Sequence, residues 1–266
     1  MEPVRAVILG VVQGITEFLP VSSSGHLVLA NYFLGWGDAL PAAVTFATNT
    51  GTLLAVLAFL WRDVAAATTG FLAGMVSAEG RRGDGWRMAL LVLVGSVPTV
   101  IIGLALRPVF EDLNAPLPVA IALAATGLVL WIAPRGGPKA TARDLSFRDA
   151  LIAGVAQGLA VIPGISRSGV TIAALLWRGG STELAPRVSF LMYLLASAGV
   201  AVLTADEVLG ADLDWSALVG MTAASAIVGY GALFVLFAVL RRGRFRVFSP
   251  YLWLVAGVTL TRLALG

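Results

Sequence analysis

One segment of this chain occurs twice, 144 residues apart, and the residues that coincide are small or polar. The first copy, residues 13–27, is QGITEFLPVSSSGHL, and the second, residues 157–171, is QGLAVIPGISRSGVT. Duplications of this kind are typical of membrane proteins that form one binding site between two structural repeats. The duplication therefore predicts one site assembled from two halves. The coinciding pairs include Ala6 and Ala150, Gly10 and Gly154, Val11 and Val155, Gln13 and Gln157, Gly14 and Gly158, Ser22 and Ser166, Ser24 and Ser168, and Gly25 and Gly169.

Composition limits the class of protein to an integral membrane protein. The chain is 58% hydrophobic and 12% charged, and its mean hydropathy is +0.91. The absence of cysteine excludes disulfides and thiolate metal sites, and a single histidine excludes a multi-histidine metal centre. Arginine in loops explains the basic charge as an orientation signal, so we expect no nucleic-acid partner. We expect no removable signal peptide and one membrane domain over residues 1–266.

Six stretches are long and apolar enough to cross a bilayer of about 30 Å of hydrocarbon. Residues 64–77 are too short and too rich in small side chains to be a seventh, so an interfacial or loosely packed helix is expected there. The six predicted spans are residues 41–61, 88–106, 115–133, 184–204, 215–240 and 248–265.

Basic residues concentrate in three of the loops and predict how the chain is oriented. The loops after the first, third and fifth spans hold 12 of the 18 basic residues. The loop after the fourth span carries acidic residues and no Lys or Arg. Positively charged loops stay in the cytoplasm, so these three loops should be cytoplasmic and the acidic loop outside. The basic residues are Arg62, Arg81, Arg82, Arg87, Arg135, Lys139, Arg143, Arg148, Arg241, Arg242, Arg244 and Arg246, and the acidic ones are Asp206, Glu207, Asp212 and Asp214.

The duplicated segments lie outside the six spans, within residues 5–34 and 149–177. Each consists of two short apolar arms separated by a Pro/Gly/Ser tip, and neither arm is long enough to cross comfortably, which predicts two re-entrant helical hairpins. A single kinked crossing helix is the alternative for each. Three spans separate the hairpins, so they enter from opposite sides. The predicted fold is therefore all-α, with inverted-topology repeats at about 1–134 and 145–266.

The hairpin tips carry the candidate site residues. Glu17 is the only carboxylate in an apolar segment, and Gln13 lies one helical turn before it. A buried carboxylate is costly unless a cation, a metal or a proton accompanies it. Arg167 offers a planar fork of donors that suits phosphate, and both serine clusters open a helix, where free N–H groups favour an anion. The other tip residues are Ser22, Ser23, Ser24 and His26 in the first hairpin and Ser166, Ser168 and Thr171 in the second.

Each of these residues also has a purely structural interpretation. A serine at the start of a helix is often only an N-cap, and Glu17 could pair with Arg167 as a structural salt bridge. A lone histidine near a turn, such as His26, is more often a hydrogen-bonded core residue than a catalyst. A carboxylate, a histidine, hydroxyls and a buried arginine converging on two helix starts nevertheless match what cleavage of a phosphoanhydride requires.

The two tip motifs resemble those of the undecaprenyl-diphosphate phosphatase family, also known as bacitracin-resistance proteins. The resemblance extends over essentially the whole chain and is carried by QGITEFLPVSSSGH and PGISRSGVT. It implies removal of the terminal phosphate from undecaprenyl diphosphate, which returns the carrier lipid to cell-wall synthesis and gives bacitracin resistance. It also implies a divalent cation and a membrane-embedded lipid substrate.

From this resemblance we expect the following roles. Glu17 and Gln13 would position Mg²⁺ or Ca²⁺ through oxygen ligands. Ser23 would attack phosphorus or orient a water, with His26 as general base and acid, although His26 itself or Ser22 could be the nucleophile. The diphosphate would be held by Arg167, Ser22, Ser166, Ser168 and Thr171.

The chain departs from the family pattern after the first hairpin. Family members usually carry an acidic residue and a His or Gln where this chain has Thr45 and Asn49. The departure removes a second carboxylate, which leaves Glu17 as the sole anionic metal ligand of that motif. A lipid or anion transporter that uses the inverted repeat is the alternative function. A site reached from the outer face and a homodimer are further expectations.

Overall fold

The computed structural model describes residues 3–35, 42–209 and 215–265, and within these ranges the fold is built from helices. One isolated bridge between Lys139 and Gly180 is the only β pairing there. Two short 3₁₀ turns, Gly80–Arg82 and Phe245–Phe248, lie in loops. The helices are α1 Pro3–Phe18, α2 Ser23–Phe33, α3 Ala42–Phe59, α4 Trp61–Val76, α5 Asp84–Leu113, α6 Pro116–Ile132, α7 Phe147–Leu159, α8 Arg167–Trp177, α9 Leu184–Leu209, α10 Trp215–Arg241 and α11 Ser249–Ala264.

Four of the described helical segments are long and apolar enough to cross a membrane, and they fall on four of the six predicted spans. They are Asp84–Leu106, Leu184–Val202, Trp215–Arg241 and Phe245–Ala264. The predicted span at 41–61 instead belongs to a pair, α3 and α4, bent by 78°. The pair brings the possible number of spans to five if it crosses as one. α4 is the separate helix expected near residues 64–77.

The predicted span at 115–133 corresponds to α6, a shorter apolar helix of 17 residues. Proline limits it at both ends, because Pro116 and Pro118 open the helix and Pro134 lies two residues after its last residue, Ile132. Proline is favoured at a helix start and cannot extend a helix at its end. These prolines explain why α6 stops short of a typical span. The acidic loop predicted from Asp212 and Asp214 lies outside the described residues.

Both duplicated segments form helical hairpins whose bases are held together by polar contacts. In the first hairpin, Arg5 Nη2 of α1 donates to Asn31 Oδ1 of α2 at 3.1 Å. In the second, Asp149 of α7 is fully buried and pairs with Arg178 Nε at the end of α8, at 2.7 Å. Lys139 Nζ also contacts Asp149 at 2.7 Å. These contacts place the ends of each hairpin side by side and leave its tip free to reach the centre of the molecule.

The first arm of each hairpin packs closely on a long helix of the other half of the chain. α1 lies on α10, and α7 lies on α5. A side chain at Gly10 would collide with the Met221 carbonyl of α10, and one at Gly154 would collide with the Gly95 carbonyl of α5. Small residues allow such close helix contacts in membranes. The duplicated glycines of the arms therefore serve helix packing, so not all of the duplicated residues belong to the site that the duplication predicts.

The three basic loops lie at one end of the molecule. Arg87 Nη2 of the first loop donates to the Leu145 carbonyl of the second at 2.6 Å, and Arg143 of the second loop pairs with Asp84. Gly243 of the third loop packs against Arg135 of the second. The loops that the sequence assigned to one side of the membrane are thus neighbours. The base of the second hairpin, through Lys139, joins the same end.

Candidate active site

The tips of the two hairpins meet at a hydrogen bond between the Gly164 backbone and the Ser22 side chain. The Gly164 N–H donates to Ser22 Oγ at 3.1 Å, and Gly25 packs so closely against Gly164 that a side chain there would lie only 3.0 Å from the Gly164 backbone. Ser22 has φ +72°, a conformation that is strained for a residue with a side chain, and Gly164 has φ +95°. Such strain persists only where the surroundings enforce it, and it concentrates at functional sites. The duplicated segments therefore form one junction.

Glu17 is the centre of this junction and is contacted from both hairpins. Its carboxylate is 4% exposed and pairs through Oε1 with Nη2 of Arg167. Its second oxygen accepts from the Ser23 hydroxyl and, at 2.8 Å, from Nε2 of Gln13. The structure thus brings together Gln13, Glu17, Ser23 and Arg167. The Ser23 hydroxyl therefore has a proton acceptor and a cation beside it, which is the arrangement that an activated nucleophile requires.

Arg167 is held between the carboxylate and an aromatic ring. Its guanidinium carbon lies 4.1 Å from the centroid of the Tyr193 ring, and Nη1 donates to Ser197 Oγ at 3.4 Å. The Tyr193 hydroxyl is in turn within 3.0 Å of Thr52 Oγ1. These contacts fix the plane of a side chain that is 29% exposed. A small cleft opens beside it, lined by Glu17, Phe18, Arg167, Ser168, Ser189, Phe190 and Tyr193.

The hydroxyls of the second tip have different surroundings. Ser166 caps α8 by accepting from the Gly169 N–H at 3.2 Å, and Ser168 lines the cleft. Thr171 is fully buried, and its hydroxyl has no hydrogen-bond partner in the described part of the chain. Ser22 caps α2 in the same way by accepting from Gly25. Two helix starts therefore face the junction, and the first N–H groups of a helix, which have no partner within the helix itself, attract anions.

His26 lies in the first turn of α2 but does not contact Ser23. Its Nδ1 lies 2.8 Å from the Ser22 carbonyl, so this nitrogen carries the proton and donates it. Nε2 lies 2.8 Å from the Tyr251 hydroxyl and accepts from it, while the two rings stack with centroids 5.6 Å apart. The acceptor nitrogen of the only histidine is therefore covered by a tyrosine of α11.

Of the two positions that depart from the family pattern, Asn49 and Thr45, one lies at the site and the other on the surface. Asn49 belongs to the site, because its Oδ1 accepts from Gln13 Nε2 at 2.9 Å, whereas Thr45 is exposed. No cluster of three or more His, Cys, Asp or Glu side chains is found in residues 3–35, 42–209 and 215–265. The available oxygen ligands are one carboxylate, amides and a hydroxyl. Mg²⁺ is commonly held by one or two carboxylates together with substrate phosphates, and this donor set fits that mode.

Sequence reasoning missed two aromatic residues of the site. Tyr251 reaches His26 from 225 residues away, and nothing in its local sequence indicates this. Tyr193 lies in a predicted span, where a polar hydroxyl is unusual and could have been noticed. Its stacking on Arg167 depends on how α8 and α9 pack, which local sequence does not determine.

The fold and the site define an all-helical membrane protein with a polar centre formed by two hairpin tips. Residues 6–258 match the family model described as bacitracin resistance protein BacA, and the chain belongs to this family. The undecaprenyl-diphosphatase of Acaryochloris marina is 58% identical over 266 residues, covering 100% of both chains. Those of Desulfosudis oleivorans and Methanosphaera stadtmanae are 42% and 36% identical, each over 98% of both chains.

Proposed function

We propose that this protein hydrolyses undecaprenyl diphosphate to undecaprenyl phosphate and inorganic phosphate. The relatives of the same length carry the name of this activity, and one of them is 58% identical. The observation that carries the proposal is the contact of Glu17 with both Ser23 and Arg167 at the meeting point of the tips. Recycling of the carrier lipid for cell-wall synthesis, and resistance to bacitracin, which sequesters the diphosphate, follow from the reaction.

The diphosphate binds at the starts of α2 and α8. Arg167 holds the terminal phosphate with its planar fork, and the free N–H groups of the helix starts add donors. Ser168 lines the cleft and donates directly, whereas Ser22 and Ser166 shape the tips as caps. Thr171 is buried behind the tip and acts through packing. The diphosphate competes with Glu17 for the guanidinium, so binding of substrate releases one carboxylate oxygen.

Ser23 is the nucleophile of the proposed reaction. Its oxygen bonds to the terminal phosphorus as the bond from that phosphorus to the bridging oxygen breaks. The hydroxyl proton passes to Glu17, which it already contacts, and undecaprenyl phosphate leaves with the bridging oxygen and its electron pair. Water then cleaves the phosphoserine and releases inorganic phosphate. This assignment gives Glu17 the proton transfer that is expected of His26 from the family resemblance.

His26 serves the second step as the acceptor of the water proton. For this role its Nε2 exchanges the Tyr251 hydroxyl for a water, a change that substrate binding can induce, since catalytic hydrogen bonds often tighten only in the complex.

We expect His26→Asn to lower turnover by about 10²–10⁴-fold, the usual contribution of a proton carrier. The asparagine amide still donates to the Ser22 carbonyl, so the hairpin tip and diphosphate binding should be kept. Binding and phosphate release are measured on the same purified variant, with Tyr251→Phe as the control that keeps the ring stacking. Full turnover in His26→Asn would remove histidine from the mechanism.

A divalent cation, Mg²⁺ or Ca²⁺, would be held by Glu17 and Gln13 together with the substrate phosphates. When bound, it would neutralise charge on the diphosphate. Gln13 fits this role because it already lies against Glu17, at 2.8 Å. Asn49 provides a neutral amide where a carboxylate is absent, so we expect weaker cation binding than an acidic residue would give.

Glu17→Gln should raise the cation concentration needed for half-maximal activity as well as lower turnover, because an amide is a poorer ligand than a carboxylate. Asp63→Asn is a suitable control, since that carboxylate pairs with Arg187 outside the site. Phosphate release is measured over a series of Mg²⁺ and Ca²⁺ concentrations after chelation. If turnover falls but the dependence on cation concentration is unchanged, Glu17 is not a metal ligand. Its role is then proton transfer or a structural ion pair.

A lipid or anion transporter is the rival function. Its site would use Arg167 and the helix starts but would not need a hydroxyl aimed at a carboxylate. Purified protein in detergent distinguishes the two functions, because no gradient can exist there. Phosphate release from undecaprenyl diphosphate supports the phosphatase, and release from shorter or other polyprenyl diphosphates defines its chain-length range. Gradient-dependent flux in vesicles without any phosphate release would favour the transporter.

The architecture in the membrane is part of the proposal. Six spans, counting α3 and the short α6, and two re-entrant hairpins form inverted repeats of about 1–134 and 145–266. The reciprocal packing of α1 on α10 and α7 on α5 supports this arrangement. The three basic loops then face the cytoplasm, and the site opens to the outer face, where the first hairpin enters. A homodimer remains a prediction.

Both termini should face outward and the loops with Arg81, Arg143 and Arg242 should face the cytoplasm. The native chain has no cysteine, so single cysteines can be introduced and labelled with a membrane-impermeant thiol reagent. A cysteine at Asp212 should react in intact cells, and one at exposed Asp144 should react only after the membrane is disrupted. The reverse pattern would contradict the orientation.

A further inference from the structure

A second pocket lies at the basic end of the molecule and shares no residue with the site at the tips. It has a volume of about 480 Å³, within the size range of small-ligand pockets. It is formed by the end of α6 and the turn between α10 and α11. Its lining residues are Trp131, Arg135, Arg242, Gly243, Arg244, Arg246, Val247 and Pro250.

Four arginines converge on this pocket without a carboxylate to balance them. Among the described residues, no Asp or Glu lies within ion-pair distance of any of the four, whereas Lys139, Arg143, Arg178 and Arg187 are all paired. The four arginines are exposed and keep their charge at every physiological pH, so their combined field attracts anions to the pocket. Orientation in the membrane requires basic residues on this side but does not require them to form one pocket. The unbalanced charge therefore indicates an anionic ligand.

The surroundings of the pocket indicate that the anion belongs to a lipid. Trp131 forms one wall, with the Arg246 guanidinium carbon 5.8 Å from its ring centroid, and its ring packs at a tilt against that of Trp253, with the centroids 5.5 Å apart. Tryptophan is enriched at the level of lipid headgroups. Exposed apolar side chains of α6 and α11, Leu128, Ile132 and Leu254 among them, continue from the pocket along the helices. A free anion would gain nothing from such a surface.

We propose that this pocket binds the phosphate-bearing headgroup of an anionic phospholipid, whose acyl chains lie along α6 and α11. The guanidinium forks bind the phosphodiester oxygens, and Trp131 packs against the start of the chains. This site is independent of the proposed hydrolysis, because the headgroup is bound and released without any bond being broken.

The test compares lipids by their effect on thermal unfolding of the purified full-length protein in neutral detergent, followed by tryptophan fluorescence. Phosphatidylglycerol should raise Tm in a concentration-dependent way, because a ligand that binds only the folded state stabilises it. Phosphatidylcholine and inorganic phosphate at the same concentrations should not. Arg135→Gln combined with Arg244→Gln should weaken the apparent affinity for phosphatidylglycerol by about 30-fold.

Arg62→Gln combined with Arg241→Gln is the matched control. It removes two exposed arginines from the same end of the molecule, and Arg62 also lies over a tryptophan ring, Trp61 at 5.3 Å. Its affinity for phosphatidylglycerol should stay within about threefold of the wild-type value. Phosphate release in detergent should be unchanged in both double variants, which shows that they are folded. Arg135→Lys with Arg244→Lys should keep more affinity than the glutamine pair, because the charge remains.

Three results would overturn the proposal. Equal stabilisation by phosphatidylcholine would show that no headgroup charge is bound, and an effect of inorganic phosphate equal to that of phosphatidylglycerol would make this a site for a free anion. An equal loss of affinity in the control pair would mean that the lipid is attracted by the overall basic charge of this end and not bound in the pocket.

Discussion

Replacing Arg167 by lysine is expected to lower the rate of phosphate release by about 10²–10³-fold, although the positive charge is kept. Arg167 contacts Glu17, Ser197 and the Tyr193 ring at once, which fixes the plane of the guanidinium. A lysine offers a flexible point charge that cannot bind two phosphate oxygens in a fixed plane. The transferred phosphate therefore loses donors in the transition state, and turnover falls more than binding does.

Arg178→Lys in the same hairpin is the matched control, because Arg178 pairs with Asp149 at the hairpin base and not at the tip. It should retain a rate within a few-fold of the wild type. Both rates and the Tm of each variant are measured on purified protein. A near-native rate for Arg167→Lys would make Arg167 a structural partner of Glu17.

Replacing Ser23 by alanine is expected to lower turnover by more than about 10³-fold, since removal of a nucleophile that acts together with other catalytic groups eliminates most of their joint contribution. The Ser23 hydroxyl donates to the buried Glu17 carboxylate of the same hairpin. Substrate affinity should change little, because Arg167 and the helix starts remain. The measurement is single-turnover phosphate release together with binding of the diphosphate.

Ser24→Ala serves as the control for Ser23→Ala. Ser24 is the next residue of α2, and its hydroxyl lies 3.5 Å from Ser22 Oγ. The Ser24→Ala substitution should lower the rate by less than about tenfold. A single neutral hydrogen bond contributes only modestly, and the Ser24 hydroxyl does not contact Glu17. If Ser23→Ala and Ser24→Ala have equal and small effects, the nucleophile is a water or His26.

The sequence duplication marked the two segments that meet at the candidate site, but it did not separate the residues of that site from packing residues. Gly10 and Gly154 coincide because each allows an arm to approach a long helix, and Ser22 and Ser166 coincide because each caps a helix three residues before a glycine. The residue that distinguishes the tips chemically is Arg167, which stands where the first copy has Ser23. The side-chain chemistry of Arg167 alone therefore predicted more about phosphate binding than the duplication did.

Contacts that depend on tertiary packing were beyond prediction. The one-turn spacing predicted that Gln13 and Glu17 share a face, and they lie 2.8 Å apart. No spacing rule relates His26 to Tyr251 or Arg167 to Tyr193, because these pairs belong to helices placed together only by the whole bundle. The apolar pattern likewise located the long spans but not the 78° bend between α3 and α4.

The central claim is that both hairpin tips form one catalytic site. Its most direct test is a double-mutant cycle of Ser23→Ala and Arg167→Lys, one residue from each tip, with kcat/KM measured on purified protein in detergent. Groups that act on the same phosphate are strongly non-additive, so the double variant should be within about tenfold of the slower single variant. If the two losses multiply in full, Ser23 and Arg167 act independently, and the claim of one shared site is wrong.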